Sequence, residues 1–223
     1  MIRLNITTEG LSEKVFVDSL LCAPLLEKGI QAIAYSVTTS VDRRIGRSFK
    51  GGLANYAKVK RDLERRFREY SSPHDRFTTM FDLYALPADF PEMEKAHNEQ
   101  DPYRKVQILE QALFDDLHEP RLIPYIQLHE FETLLLTEPD KLIVAYPNQK
   151  NAINNLVTEV GRENPELING GKETSPSKRI LKYLPEYDKV NAGLMTVISI
   201  GLSKLRERCR HFNEWLSVLE NYD

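Results

Sequence analysis

The chain has 223 residues, of which 41% are hydrophobic and 28% are charged. These proportions are typical of a soluble globular protein and exclude the disordered, collagen-like and coiled-coil classes. A chain of this length can form one compact domain with an appended subdomain. No apolar run of about 18 residues and no secretory signal pattern occurs, so we expect no membrane span and a cytoplasmic location. The two cysteines, Cys22 and Cys209, suit a reducing compartment and exclude a disulfide scaffold.

The formal net charge of −3 conceals a polarised distribution of charge. Residues 41–70 carry ten Lys and Arg against four Asp and Glu, and residues 172–210 carry nine against four. Residues 82–119 reverse the balance, with ten acids against three bases. Either the basic blocks bind a polyanion such as a nucleic acid, or charged helices simply turn their polar sides to water. On the first interpretation, the candidate contacts to a nucleic-acid backbone in the first block are Arg43, Arg44 and Arg47.

In chain order, the hydrophobic pattern of the first half alternates between strands and helices. Alternating apolar positions predict a half-buried strand over residues 2–7, followed by a helix with Ser12 as its N-cap and an end or a kink at Pro24. The later elements are strands over 32–37, 77–84 and 122–126, with helices over 53–70 and 104–117 between them. This alternation predicts a parallel sheet of about four strands that helices cover on both faces.

Beyond residue 128 the periodicity is helical throughout. A stripe of apolar residues spaced 3-4-3-4-3 over residues 202–219 predicts one final helix. Ser175 and Pro176 have the N-cap and N1 chemistry of a helix start. We therefore predict an α/β domain over residues 1–137 and a helical C-terminal subdomain over residues 138–223.

Carboxylates stand near the carboxyl ends of three predicted strands. Glu9 follows the first strand, Asp82 lies near the end of the third, and Glu130 and Glu132 follow the fourth. Open parallel sheets bind their ligands at this edge, and hard oxygen ligands suit Mg²⁺ or Mn²⁺. Such an ion lowers the pKa of a bound water and stabilises the charge that develops in phosphodiester cleavage.

Each of these acids also has a purely structural interpretation. Glu9 would complement the positive end of the following helix, Asp82 would only terminate a strand, and Glu130 and Glu132 would be first-turn acids of a helix. Glu13 lies one helical turn after Glu9 and is either a further metal ligand or a cap. The sequence pattern alone leaves both interpretations open.

Further cationic candidates lie in the second basic block. Lys178 and Arg179 stand at the start of a predicted helix, where helix N–H groups and cationic side chains can bind a backbone phosphate. A solvated helix end is the alternative. Lys189 is another candidate for a phosphate contact. No Walker A stretch occurs, so we do not expect this chain to hydrolyse ATP itself.

Two stretches resemble the acidic motifs of Toprim domains, the fold shared by topoisomerases, primases and overcoming-lysogenisation-defect nucleases. They are ITTEGLSE at residues 6–13 and FDLYALP at residues 81–87. The resemblance implies a Toprim-like fold. It also implies that Glu9 is the first Toprim glutamate, acting as a metal ligand or general acid/base, and that Asp82 is the first aspartate of a D-x-D pair.

The resemblance departs from the Toprim pattern at one position. The second aspartate of the D-x-D pair would fall at Tyr84, which has no carboxylate. A two-metal site of the Toprim type would then need another acid, and the candidate substitutes are Glu132, Glu130 and Glu13.

Three other stretches are similar to the DUF4276 family of bacterial Toprim-like proteins, and the similarity extends over nearly the whole chain. These stretches are YIQLHEFE at residues 125–132, TSPSKRI at residues 174–180 and YDK at residues 187–189. The resemblance implies a role in defence against foreign nucleic acid beside an ATPase partner.

The leading hypothesis is a Toprim-like nuclease that depends on Mg²⁺ or Mn²⁺ and binds a DNA or RNA backbone. The alternative is a noncatalytic module. It would have lost its catalytic activity because the second aspartate of the D-x-D pair is missing, and it would bind an ATPase through its C-terminal helices. A phosphatase or transferase acting on a small phosphate ester is a third hypothesis, and it is disfavoured because the basic blocks exceed what one phosphate requires. The choice between DNA and RNA, the cleavage specificity and homo-oligomerisation stay open.

Overall fold

The structure of the chain is a computed structural model. It describes residues 1–42, 47–50, 53, 55–168, 171 and 174–221, and the side chains of residues 38–42 and 47–50 are not described. The chain divides into two compact units, Met1–Ile126 and Gln127–Asp223. The domain boundary predicted from the sequence, between residues 137 and 138, stays a prediction.

The first unit is built on a parallel sheet, as the sequence predicts. The strands in chain order are β1 (Ile2–Thr8), β2 (Ile30–Ser36), β3 (Thr38–Asp42), β4 (Arg47–Lys50), β5 (Asp75–Asp82), β6 (Leu122–Ile123) and β7 (Ile126–Gln127). The main sheet has the order β2-β1-β5-β6, with β7 as its fifth strand, and β3 and β4 form a separate antiparallel pair. Thr8 of β1 pairs with Ser36 on one side and with Met80 on the other. The carboxyl ends of β2, β1 and β5 therefore lie at one edge of the sheet.

The central strand β1 is more buried than its alternating sequence predicts. All of its residues from Leu4 to Thr8 are buried, so the prediction of a half-buried strand was wrong. The reason is that β1 lies between β2 and β5 and the sheet is covered on both faces. The polar side chain of Asn5 is accommodated by donating a hydrogen bond to the backbone oxygen of Arg76 at 3.2 Å.

Helices of the first unit connect these strands. They are α1 (Leu11–Phe16), α2 (Cys22–Glu27), α3 (Tyr56–Glu69), α4 (Met93–Asn98) and α5 (Pro102–Leu117), with a π-helical turn over Val17–Leu21. The N-cap of α1 is Gly10 rather than the predicted Ser12. Pro24 lies in the first turn of α2, directly after the π-helical turn, so the helix does not end at Pro24, and a proline is tolerated in a first turn because it has no N–H to donate.

The helix α3 is fixed to the sheet by its apolar face. Val59, Leu63 and Phe67 are buried, and the ring of Phe67 packs edge-on against Phe77 of β5 with the ring centres 4.8 Å apart. Burial of each such side chain contributes about 1.5–3 kcal/mol. The side chain of Asn55 caps the helix by accepting a hydrogen bond from the Lys58 amide at 3.0 Å. The exposed face of α3 is therefore held in a defined position on the first unit.

The predicted strand over residues 122–126 is broken into β6 and β7. Pro124 lies in the break, where it cannot donate a ladder hydrogen bond. Next to it, the amide of Tyr125 donates to the Thr79 hydroxyl at 2.9 Å, and that hydroxyl donates to the Tyr125 carbonyl at 2.9 Å. A side chain therefore replaces the backbone ladder at this point.

The second unit is helical in the residues that the structure describes after β7. Its helices are α6 (Glu132–Leu135), α7 (Lys150–Val160), α8 (Pro176–Tyr183), α9 (Asn191–Ile200), α10 (Leu202–Arg208) and α11 (Arg210–Glu220), with 3₁₀ turns over Pro139–Val144 and Pro165–Leu167. The predicted start of α8, with Ser175 at the N-cap and Pro176 at the first helical position, is confirmed.

The prediction of one final helix was wrong, because the helix is interrupted at Cys209. This residue has the extended dihedral angles φ −110° and ψ 96° and separates α10 from α11. The carboxylate of the fully buried Glu166 accepts hydrogen bonds from the amides of His211 and Phe212 at 3.0 and 3.1 Å. These amides are the unsatisfied donors of a new helix start. The apolar spacing was still informative, since the stripe is buried at Leu205, Cys209, Phe212, Leu216 and Leu219.

Candidate functional site

Two acidic residues meet at the carboxyl edge of the sheet in the first unit. Glu9 directly follows β1, and its amide donates to the carbonyl of Met80 on the neighbouring strand β5 at 3.2 Å. Asp82 is the last residue of β5. The amide of Asp82 donates to the Oε2 atom of Glu9 at 3.4 Å. Parallel pairing of β1 with β5 thus brings the side chain of Glu9 onto the backbone of Asp82.

The turn that carries Glu9 is fixed by small hydroxyl side chains. The hydroxyl groups of Thr8 and Ser36 each donate to the carbonyl of Gly10 at 3.0 Å. Both residues are buried, although they are polar and stand at the ends of β1 and β2. Sequence reasoning missed this pair of residues. The available signal was a hydroxyl residue at the last position of each of two strands that pair with each other.

Glu13 caps the helix that follows this turn. It is 2% exposed, and its Oε2 atom accepts a hydrogen bond from the amide of Gly10 at 3.0 Å. An acid in the first turn also complements the partial positive charge of a helix N terminus. Through this hydrogen bond Glu13 caps α1, as one of the two interpretations expected. A role for Glu13 as a metal ligand stays a prediction.

The position of the second D-x-D aspartate lies just outside the sheet. β5 ends at Asp82, and Tyr84 belongs to a short 3₁₀ turn over Leu83–Ala85. The strand predicted over residues 77–84 therefore begins and ends two residues earlier than expected. The side chain that would complete a D-x-D pair is a phenol, so the first unit offers one aspartate from this motif.

The donor set at this edge suits a magnesium ion bound through few protein ligands. Among the described residues there is no group of three or more His, Cys, Asp or Glu side chains arranged to hold a metal ion. Mg²⁺ usually keeps several waters and is bound by one or two carboxylates together with phosphate oxygens of a substrate. Glu9 and Asp82 supply two carboxylates of this kind. The chemistry of the pair therefore fits Mg²⁺ or Mn²⁺, and their binding to the pair stays a prediction.

In the second unit, Glu130 occupies the N terminus of α8. Its Oε1 atom accepts a hydrogen bond from the amide of Ser177 at 2.6 Å. A carboxylate is favoured here by the unsatisfied amides and the dipole of the helix. This amide was among the groups predicted to bind a nucleic-acid phosphate, so a phosphate at this position would compete with Glu130.

A second acid of this unit, Glu132, is paired with a cation. Glu132 is the first residue of α6 and is 2% exposed. The ammonium group of Lys189 lies 3.5 Å from its Oε2 atom, and the hydroxyl of Tyr187 donates to its Oε1 atom at 3.4 Å. Burial, followed by the negative charge of Glu132, raises the pKa of Tyr187 far above its usual range, so this tyrosine stays a hydrogen-bond donor at neutral pH.

Close packing holds this cluster together. A side-chain carbon added at Gly193 of α9 would lie 2.9 Å from the hydroxyl oxygen of Tyr187 and 3.4 Å from the ring of Phe131. The ammonium group of Lys189 lies 5.7 Å from the centre of the same Phe131 ring. The stretches at residues 125–132 and 187–189, which are distant in sequence, therefore meet around Glu132.

Arg179 is bound inside the second unit. Its guanidinium donates to Glu159 of α7 at 2.9 Å and to the carbonyl of Thr174 at 2.9 Å. The ammonium group of Lys182, the hydroxyl of Tyr183 and the charge of Arg179 keep the pKa of Glu159 below its usual value in spite of partial burial. Phosphate binding by Arg179 and by the exposed Lys178 stays a prediction, and for Arg179 it requires competition with Glu159.

The predicted acids lie in different units, and some of the predicted basic residues lie outside the described part of the chain. Glu9, Glu13 and Asp82 belong to the first unit, and Glu130 and Glu132 belong to the second. That these acids share one ion stays a prediction. Arg43 and Arg44 lie outside the described residues, as does the side chain of Arg47.

The sequence also matches a known family over most of its length. Residues 8–220 match the family described as Domain of unknown function (DUF4276). The chain belongs to this family. The resemblance seen in the sequence motifs is thereby confirmed. The DUF4276 region includes both the Glu9–Asp82 pair and the cluster around Glu132.

Two solved structures are similar to this DUF4276 chain at low sequence identity. Both are of the C-terminal region of the Xanthomonas campestris pv. campestris OLD protein. The one phased with platinum has a TM-score of 0.42 and 14% identity, and the match covers 97% of this chain and 95% of that chain. The one phased with iodine has a TM-score of 0.39 and 15% identity, with 98% and 97% covered. No curated protein matches the sequence.

Among the helices of the described residues, none is both long enough and apolar enough to cross a membrane.

Proposed function

We propose that this DUF4276 protein is a metal-dependent nuclease of the Toprim type. The observation that carries the proposal is the contact between the Glu9 carboxylate and the Asp82 amide, 3.4 Å apart at the ends of neighbouring parallel strands. The resemblance of the stretches at residues 6–13 and 81–87 to the Toprim motifs supports the same pair. Glu9 and Asp82 are the residues that would hold Mg²⁺ or Mn²⁺.

When bound, the ion would supply charge neutralisation at a phosphodiester and a more acidic bound water. The residues of this chain would fix the position of the ion. The hydrogen bonds from Thr8 and Ser36 fix the turn at Gly10 and so orient Glu9. The hydrogen bond from Asp82 to Glu9 keeps the two acids in register. The Glu9 carboxylate is held by the backbone amide of Asp82, which limits the reorganisation that Glu9 needs to bind a cation.

The substrate of the proposed nuclease is a nucleic-acid backbone. Basic residues predicted to contact it are Lys178, Arg179, Lys189, Arg43, Arg44 and Arg47. Of these, Lys189 has a side chain that is 36% exposed, and its ammonium group is held beside Glu132. Glu132 would keep this cation in place until a phosphate binds. The defence role and the ATPase partner that the family resemblance implies belong to the same proposal, as does the cytoplasmic location expected from the sequence pattern.

A noncatalytic binding module is the second candidate function. The observation that favours it is Tyr84, which stands where the Toprim pattern has its second metal-binding aspartate. A site reduced to one aspartate can lose turnover and keep its fold. In this case the helices of the second unit would bind an ATPase, and the acid pair would serve only to terminate β1 and β5.

Purified protein with labelled DNA and RNA distinguishes the two functions. The nuclease predicts cleavage with Mg²⁺ or Mn²⁺ that stops when EDTA removes the ion and resumes when excess ion is added back. The binding module predicts no cleavage of either polymer, with or without a coexpressed ATPase, together with copurification of that ATPase. Cleavage that is unchanged in EDTA would contradict the metal-dependent mechanism.

A further inference from the structure

One stripe of α3 consists of four basic residues. Lys58, Arg61, Arg65 and Arg68 follow one another at intervals of three and four residues, which places them within a sector of about 80° and along about 15 Å of the helix. The three arginines are exposed and Lys58 is half-buried. The acids of α3 project outside this sector by the same helical geometry. We refer to these four residues as the α3 basic stripe.

The other basic residues of α3 have internal structural roles. Lys60 forms an ion pair with Asp116 of α5 at 2.8 Å. Arg66 is 5% exposed, and its guanidinium lies 4.1 Å from the centre of the Tyr35 ring and 3.4 Å from Asp62. These two cations hold the helix in place and are separate from the stripe.

Arg65 of the stripe forms ion pairs within α3. Arg65 lies 2.7 Å from Asp62 and 3.8 Å from Glu69, and its side chain is 50% exposed. The pair with Glu69 is exposed on both sides, and such pairs contribute about 1 kcal/mol or less. Asp62 is buried and has Arg66 as a second cation at 3.4 Å, so a phosphate at Arg65 would displace Glu69 easily and would compete with Asp62.

The stripe begins on the side of the sheet where the acid pair lies. The amide of Tyr56, in the first turn of α3, donates to Asp89 at 3.0 Å. The Tyr56 ring packs edge-on against Phe90 with the ring centres 5.2 Å apart. Asp89 and Phe90 follow Asp82 after the end of β5. The Lys58 end of the stripe is therefore bound to the segment that follows Asp82 in the chain, and Arg68 lies at the opposite end of the stripe.

We propose that the α3 basic stripe binds the phosphate backbone of a DNA duplex. A duplex carries about one charge per 1.7 Å of its axis with both strands counted, so about 15 Å of duplex carries roughly nine phosphates, and the stripe would contact those on the side that faces it. The apolar face of α3 is buried, so the spacing of the cations is fixed and suits a regular backbone. Proteins that bind single strands use stacked aromatic rings as well, and the stripe contains none. The cations of the stripe contact phosphate, which DNA and RNA share, so the comparison of duplex DNA with duplex RNA in the test below decides between the two polymers.

This inference rests on the proposed nuclease and adds the substrate class and its path. A duplex lying along the stripe would extend from Arg68 past Lys58 toward the sheet edge that carries Glu9 and Asp82. The stripe has no part in holding the metal ion, so its contribution is measured by binding without metal.

The test compares two triple variants that lose the same charge. The stripe variant is Arg61→Gln, Arg65→Gln and Arg68→Gln, and the control is Lys28→Gln, Lys95→Gln and Arg104→Gln, at exposed sites elsewhere on the first unit. Binding of a labelled DNA duplex is measured by fluorescence anisotropy in EDTA over about 50 to 200 mM salt. The stripe variant should bind roughly tenfold or more weakly than the control near 100 mM salt, with a salt slope shallower by about 2 to 3.

Equal affinities and slopes for the stripe and control variants would overturn the inference and leave the proposed metal site untouched. A greater loss on single-stranded DNA or on duplex RNA than on duplex DNA would also overturn it, because the occupant would then be a different polymer. The Asp82→Asn variant should keep the wild-type slope, which separates binding from cleavage. A wild-type protein that binds none of these polymers would contradict both the stripe and the nuclease.

Discussion

Asp82→Asn and Glu9→Gln are each expected to slow metal-dependent cleavage about 10³-fold. Each substitution keeps the shape of the side chain and removes the negative charge that binds the ion, which is worth several kcal/mol in the transition state. Glutamine at position 9 can still accept the hydrogen bond from the Asp82 amide. We therefore expect the free energy of unfolding to change by less than about 1 kcal/mol. Single-turnover cleavage rates and urea denaturation measure the two quantities.

The matched control for these variants is Glu27→Gln. Glu27 is an exposed acid at the end of α2, so this change removes the same charge away from the sheet edge. The control should cleave at the wild-type rate. If Asp82→Asn or Glu9→Gln also cleaves at that rate, the acid pair does not hold the catalytic ion. If either variant is strongly destabilised, the acid concerned has a structural role that its neutral analogue cannot fill.

Glu166→Ala is expected to reduce the free energy of unfolding by about 3 to 5 kcal/mol. The carboxylate accepts hydrogen bonds from the amides of His211 and Phe212 in a fully buried position. Alanine would leave both amides buried without this acceptor, and each lost bond to a charged group costs about 1.5–3 kcal/mol. Chemical denaturation, monitored by the fluorescence of Trp215 in α11, measures the loss.

Two further variants separate the capping role from the general effect of losing an acid. Glu163→Ala removes an exposed carboxylate three residues earlier and should change the free energy of unfolding by less than about 0.5 kcal/mol. Glu166→Gln keeps an acceptor and loses the charge, so its loss should lie between those of the two alanine variants. A stability of Glu166→Ala equal to that of Glu163→Ala would contradict the capping role.

The sheet of the first unit could be predicted because its signals are local. Apolar runs separated by helical spacing identified β1, β2 and β5 within two residues at most of their ends. Parallel pairing of strands linked by helices then follows from chain connectivity. The position of Glu9 after β1 and of Asp82 in β5 could be inferred in the same way, because strand ends in one sheet share an edge.

The features that the sequence did not predict depend on contacts between distant residues. The break at Cys209 requires the buried carboxylate of Glu166, and the break between β6 and β7 involves the hydroxyl of Thr79 beside Pro124. Neither partner is visible in the periodicity of the segment that it interrupts. The antiparallel pair β3 and β4 was also missed, because its residues were interpreted only as a basic block.

The candidate site shows the same division between local and distant information. The stretch at residues 6–13 predicted that Glu13 would be either a cap or a metal ligand, and spacing could not choose between them. The hydrogen bond from the Gly10 amide supplies the missing information. Arg179 is paired with Glu159 of α7, and Glu132 is paired with Lys189 in the turn before α9. These partners are distant in sequence, so their ion pairs could not be inferred from composition.

The central claim is that Glu9 and Asp82 together bind a divalent ion. A crystal structure of the protein soaked with Mn²⁺, with anomalous data collected at the manganese edge, tests it most directly. The account predicts an anomalous peak in contact with carboxylate oxygens of both residues, and loss of that peak in the Asp82→Asn variant. Manganese bound elsewhere, with neither carboxylate in its coordination shell, would contradict the account.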